Sequence, residues 1–250
     1  MQVLLLAMAV ALLGCGGGDS ASTTETTVAT TVVATTTTTT TVAATTTVAA
    51  TTTAPPTYSE LELDYFAQVA LGAEFGGTSE TIHKWRRQVR IGVHGNPTAA
   101  DLATLADVVG DLNELIDTID IVIAESSENV ELHFAREGEF GSIEPNYRPV
   151  NMGFFWVWFE GSGTISNARI LISTMGVTQA ERSHLIREEV TQSLGLMNDS
   201  FSYEDSMFYQ GWTETGAYSD LDETVIEMLY LPEIEPGMDA AAALAVLAGE

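Results

Sequence analysis

Residues 178–195 constrain this chain most, because their pattern fits only a helix with a fixed start, a fixed stop and a polar edge. Thr178-x-x-Glu181 is a capping box, in which the two side chains satisfy the first free backbone donors reciprocally. Gly195 supplies the stop, since glycine takes the left-handed conformation that ends a helix. On a helical projection Ile186, Val190, Ser193 and Leu194 form the core side, and Glu189 falls at its edge. Leu185, Gln192 and Glu188 come next around the circumference. Glu188 and Gln192, four residues apart, therefore share a face beside Glu189. Past Gly195 the chain turns so that Asn198 or Asp199 can approach the same point. Two donors on successive turns beside a carboxylate that can activate water are what a metal-bearing helix requires.

The elements before this helix read as helix, strand, helix, then short strands. Leu61 to Phe75 has helical spacing, with Leu63, Phe66, Ala70 and Leu71 on one side, and Gly76-Gly77 ends it. Trp85 to His94 reads as a strand with Val89, Ile91 and Val93 on one face, broken by Gly95-Asn96-Pro97. Thr98 opens a helix whose apolar stripe is Leu102, Leu105, Val109, Leu112 and Ile116. Ile119–Ala124 and Val130–Ala135 read as strands, and Arg136–Met152 as a loop. Phe154–Phe159 and Ala168–Ser173 read as strands of a hairpin turning through Gly161-Ser162-Gly163. Phe154, Phe155, Trp156, Trp158 and Phe159 place aromatics on both faces of their strand. Core and loops covering both faces is the favoured account, and an exposed binding strip is the alternative.

The spacing of residues 188–199 resembles H-E-x-x-H-x-x-G-x-x-H, the active-site helix of zinc peptidases. Glu188, Gln192 and Asn198 (or its neighbour Asp199) stand where the histidines would be, Glu189 where the general base would be, and Gly195 at the turn. Asp205-Ser206-Met207-Phe208-Tyr209 resembles the Met-turn of metzincins, with Met207 under the metal position and Tyr209 placed to assist catalysis. Tyr218 to Tyr230 resembles the helix that closes such domains. From about Leu63 to Gly237 the chain is similar to a bacterial family of uncharacterised domains grouped with the zincin-like peptidases. The residues that carry this are Tyr65-Phe66-x-x-Val69-Ala70-Leu71-Gly72-x-Glu74-Phe75, Trp85, Val89, then Glu188-Glu189-x-Thr191-Gln192-x-Leu194-Gly195-x-x-Asn198-Asp199. Ser206-x-Phe208, Leu229-Tyr230 and Pro236-Gly237 complete them. The resemblance implies an α+β, zincin-like domain: a twisted mixed sheet, an active-site-type helix beneath it and a small C-terminal helical subdomain. It also implies that Phe154–Phe159 is the antiparallel edge strand above the cleft, the strand that aligns substrate by backbone pairing in peptidases of that group. It brings no assigned activity.

The donor chemistry leaves three readings of the site. Zinc takes imidazole and thiolate, tolerates carboxylate and is poorly served by amides. Glu188, Gln192 and Asn198 or Asp199 make an oxygen-only set suited to Ca²⁺ or Mg²⁺, or to no metal. A metal-free polar cluster, with Arg182 or Arg187 pairing the carboxylates, is the structural reading and implies no cofactor. A divalent cation at the same place is the second. A hydrolase with Glu189 as base and Tyr209 polarising the scissile carbonyl is the third. His83, His94 and His133 are scattered; His184, one turn before Glu188, could join that face as a ligand, but a lone helix histidine is more often a surface residue.

The N-terminal quarter has a different composition. Val3–Leu13 is an apolar run of signal-peptide length, too short to span a bilayer. It ends in Leu12-Leu13-Gly14-Cys15, which resembles the lipobox of bacterial lipoproteins, although Met1-Gln2 carries no Lys or Arg. The resemblance implies removal of residues 1–14, acylation of Cys15 and a protein anchored on the extracytoplasmic side of the cell membrane. Cys15 is the single cysteine, so neither a disulfide nor a cysteine-based zinc site exists. Residues 15–57 are Thr-rich and cannot bury a core; a disordered tether of about 35 Å is expected. Residues 58–250 then make one domain, divided as 58–77, 85–195 and 196–250. The net charge of −26, with Lys84 the only lysine, argues against nucleic acid as a partner. A peptide or a cell-wall polymer remains the expected ligand class.

Overall fold

A computed structural model of the chain describes residues 58–71 and 80–250. The expected signal segment, Cys15 and the tether lie outside the described residues, as do Gly72, Glu74, Phe75 and the Gly76-Gly77 stop.

Helix α1 (Glu60–Ala70) starts on a capping box between Ser59 and Glu62 and buries Tyr65, Phe66, Val69 and Ala70. It is shorter than the apolar spacing predicts: the backbone is already extended at Leu71. The cause lies far along the chain. The Asn198 side-chain amide donates to the carbonyls of Gln68 and Leu71 at 3.2 and 2.9 Å, and its backbone N–H donates to that of Val69 at 3.2 Å. The orphan carbonyls of the last turn are thus satisfied from outside.

The sheet is five-stranded and mixed, in the order β2-β1-β3-β5-β4. Strands β1 (Val89–Gly95), β2 (Ile121–Ile123), β3 (Val130–Ala135) and β5 (Ile165–Ser173) run parallel. Strand β4 (Gly153–Phe159) is antiparallel to β5 and forms one edge. Helix α2 (Ala99–Leu115) and helix α4 (Gln179–Gln192) pack together on the face formed by Val89, Ile91, Leu132, Phe134, Phe155 and Ile170, within the main core. The other face carries a small second cluster of Phe140, Phe154 and Leu171, covered by a turn at Glu137–Glu139 and a short helix α3 (Phe140–Ile143). The molecule is therefore a mixed α/β domain with a helix beneath an antiparallel edge strand.

Three expectations shift in detail. Trp85 is not in β1, which begins four residues later; its indole N–H donates to the Ser193 carbonyl at 3.0 Å and so ties down the end of α4. The stripe of α2 turns by one position, so that Val108 is buried while Leu102 is exposed, because buried Asp101 occupies that side and accepts from Gln179 Nε2 at 2.8 Å. The 136–152 segment contains the two short helical turns just described rather than a plain loop.

Helices α5 (Asp220–Tyr230) and α6 (Ala240–Ala248) pack against α1, and their buried residues Val225, Leu229 and Leu247 belong to the same core as the sheet. The chain's one lysine holds this junction. Lys84 is buried, and its ammonium donates to the carbonyls of Leu229, in the last turn of α5, and of Leu231, its C-cap, at 2.9 and 3.0 Å. No helix among the described residues is long and apolar enough to cross a membrane.

Candidate functional site

The capped helix α4 is the floor of a cleft. Thr178 and Glu181 form the expected capping box, and Ile186, Val190, Ser193 and Leu194 are buried as the projection predicts. The C-terminal end is fixed by Trp85 and by the Tyr230 hydroxyl, which donates to the Leu194 carbonyl at 2.9 Å. Gly195 then turns the chain at φ +125°, where a side chain would collide with the His83 carbonyl. The start of β4 forms one wall and residues 209–213 the other, around a cavity of about 340 Å³. Glu188, Glu189, Gln192, Asp199 and Tyr209 all line it.

Glu189 is 6 % exposed, more buried than an edge position suggests. Strand β4 lies close above it: a Cβ on Gly153 would run into the Glu189 carboxylate and the Leu185 side chain. Gln192 is buried, and its amide nitrogen donates to Asp199 Oδ1 at 2.5 Å. A carboxylate only accepts, so the Gln192 N–H₂ is turned toward Asp199. Asn198 does not reach the cleft, because its side chain is spent on α1. Met207 is fully buried, with its N–H donating to Asp222 Oδ2 at 2.9 Å; Ser206 donates to the other oxygen of Asp222 at 2.5 Å and accepts from the Tyr65 hydroxyl. Met207 thus belongs to a buried turn, while Tyr209 emerges from that turn into the cavity.

His184 is a correction. It is 4 % exposed rather than on the surface, because residues 210–215 pack across α4. Its Nδ1–H donates to the Thr215 carbonyl at 2.8 Å, and Nε2 lies 3.4 Å from the Glu188 carboxylate. Burial opposes a charge on this ring, but the Glu188 carboxylate, the Thr215 carbonyl and the Asp199 charge outweigh it and raise the pKa. The four-residue step from His184 to Glu188 was the available sequence signal. Gly153 and Trp212, which also line the cavity, carried none.

The arginines also depart from expectation. Arg182 faces Asp101 at 3.5 Å, and Arg187 pairs with Asp111 at 2.6 Å while lying over the Tyr218 ring. Their pairing is thus outside the cleft, and among the described residues no Arg or Lys lines the cavity.

These donors do not fit a three-ligand zinc frame. Gln192 presents amide hydrogens toward Asp199, and of the two candidates for the last position Asn198 points away toward α1 while Asp199 lines the cavity. Among the described residues no group of three or more His, Cys, Asp or Glu is arranged to hold a metal ion.

No curated protein matches the chain. Two solved structures of myroilysin are similar to it. One is 11% identical with a TM-score of 0.38, over 60% of this chain and 82% of that one. The other is 11% identical with a TM-score of 0.39, over 66% and 92%. A family described as "Protein of unknown function (DUF2927)" matches residues 60–249, which is most of the chain, and the protein belongs to that family.

Proposed function

We propose that this chain is a lipid-anchored domain of the cell envelope that holds an extended peptide in the cleft between β4 and α4 without hydrolysing it. The observation that carries this reading is the Gln192–Asp199 hydrogen bond. It joins the second position of the zincin-like frame to Asp199, one of the two candidates for the last position, while the other candidate, Asn198, caps α1. A polar network of this kind replaces a metal as the support of the cleft. The peptide follows from the edge of the sheet. Ser173 N–H donates to the Met152 carbonyl at 2.8 Å, and the two-residue alternation of an antiparallel ladder turns the backbone groups of Gly153, Phe155 and Val157 away from β5. No strand among the described residues pairs on that side, so an extended segment can add there. The anchor rests on Leu12-Leu13-Gly14-Cys15 and the Thr-rich stretch after it.

Glu189 and Tyr209 line the same cavity, which gives the hydrolytic reading its one specific support. Elemental analysis after purification without chelator, run beside a broad peptide-hydrolysis screen, separates the two. Binding proteins of this kind contain far less than one zinc per chain and cleave nothing. One zinc per chain that disappears in Glu188→Ala, together with cleavage abolished by Glu189→Gln, overturns the proposal.

A further inference from the structure

One wall of the cleft is held differently from everything around it. Residues 211–217 contain no buried side chain and form no helix or strand, and none of their backbone groups pairs with another backbone group. Yet Gly211, Trp212 and Thr213 line the cavity. The chain is fixed on both sides of this segment. Before it, the Gln210 N–H donates to the Ser200 carbonyl at 3.0 Å, and Ser200 and Tyr209 form an isolated bridge. After it, the Tyr218 hydroxyl shares a hydrogen bond with Thr191 Oγ1 at 2.6 Å, and its ring lies under Arg187. Between these anchors two hydrogen bonds tie the segment to α4. The indole N–H of Trp212 donates to Glu181 Oε1 at 2.8 Å, and His184 Nδ1–H donates to the Thr215 carbonyl at 2.8 Å. Inside the segment the Thr215 N–H donates to Thr213 Oγ1 at 3.1 Å, a turn that does not depend on α4.

We infer that residues 211–217 are a strap that swings off α4 as a unit and opens the cleft, whether or not the ligand inside is a peptide. A segment that adds nothing to the core opens at a cost set by the bonds that hold it, far below the cost of unfolding the domain. Here those bonds are the two tethers, each of which favours the closed strap by about three- to tenfold. Gly211 and Gly216, next to the two anchors, are the hinge positions. Both tethers end on groups that already act in α4. Glu181 uses its other oxygen to accept from the Thr178 N–H of the capping box at 2.6 Å, so the helix stays capped when the strap leaves. His184 lies 3.4 Å from the Glu188 carboxylate through Nε2, and Glu188 lines the cavity. Opening frees the imidazole ring beside a cavity residue. A ligand that touches Glu188 or His184 therefore shifts the strap, and the strap shifts the affinity for that ligand by the same factor.

The test needs no ligand. Glu214 is exposed in the middle of the strap, and a Glu-specific endopeptidase must seat an extended segment around it, so cleavage after Glu214 reads the population of the open strap. In the full chain, Trp212→Phe removes one tether and His184→Leu the other, and each should speed that cleavage about three- to tenfold. His184→Asn keeps a donor near the Nδ1 position and should stay near the parent rate, which general loosening around residue 184 would not allow. Trp212 is 63% exposed, so Trp212→Phe leaves the core intact should His184→Leu fail to fold. Cleavage after Glu223 and Glu227, within α5, should not change. In a second chain, Cys15→Ser with Leu185→Cys, the only thiol lines the cavity, and adding Trp212→Phe should speed its labelling by iodoacetamide by the same factor. Unchanged cleavage after Glu214 in both tether variants overturns the strap. So does cleavage that rises equally within α5, which is unfolding of the domain. Faster cleavage with an unchanged rate of labelling overturns the strap's control of the cleft.

Discussion

At the scale of single residues, Glu189 is buried under Gly153, so Glu189→Gln, which keeps the shape, should change stability by less than about 1 kcal/mol, whereas Glu189→Ala should cost about 1–3 kcal/mol. Urea unfolding of both variants checks this; equal losses would show that the ionised carboxylate itself, rather than its hydrogen bonding, supports the fold. The helical projection already set Glu188, Glu189 and Gln192 on one side, because that depends only on spacing within one helix. The direction of Asn198 was not legible, because it is decided by where α1 ends, about 130 residues earlier in the chain. Lys84 carries the second prediction. Burial lowers its pKa from 10.5 to about 8. Between those values the unfolded chain binds a proton that the folded chain has released, so folding grows more favourable as pH rises through the window. Relative to Lys84→Met, the parent should gain on the order of 2–3 kcal/mol from pH 8 to pH 10.5. A flat difference would mean that the carbonyls of Leu229 and Leu231 hold the ammonium charged in the folded protein.

At the scale of elements, the antiparallel hairpin of β4 and β5 and the capped helix α4 were readable from Gly161-Ser162-Gly163 and from Thr178-x-x-Glu181, since turns and caps are local chemistry. The fit between the two elements was not. Nothing around Gly153 announces that its Cα must pass over the side chains of residues 185 and 189. Nor was the fate of the aromatic strand fixed in advance. Phe155 enters the main core and Phe154 the small one, while Trp158 and Phe159 stay 39% and 40% exposed. Gly153→Ala should therefore lift β4 from α4, costing about 1–3 kcal/mol and weakening any peptide bound along that edge. Thermal unfolding together with peptide titration reads both effects; unchanged binding would place the peptide elsewhere. Gly195→Ala should cost at least as much, because φ +125° disfavours alanine and the His83 carbonyl blocks its Cβ.

At the scale of the whole molecule, composition divided the chain before any element did. A Thr-rich stretch cannot offset the entropy of ordering. A chain beginning at Tyr58 should thus melt within about 2 °C of the full chain, less than the shift that 1 kcal/mol produces in a domain of this size. Cys15→Ser should move the protein from the membrane fraction to the soluble one; an unchanged distribution would remove the anchor. The sheet order and the shared core of α1, α5 and α6 with the sheet were beyond the sequence, because they depend on contacts between distant segments. One buried side chain gives the molecule a property useful at the bench. Its only lysine is 3% exposed and clasped by the end of α5, so amine-seeking dyes, cross-linkers and activated resins find no side-chain target on the folded domain. When α5 lets go, one reactive amine appears per chain. Its rate of labelling is then a clock for the opening of that junction.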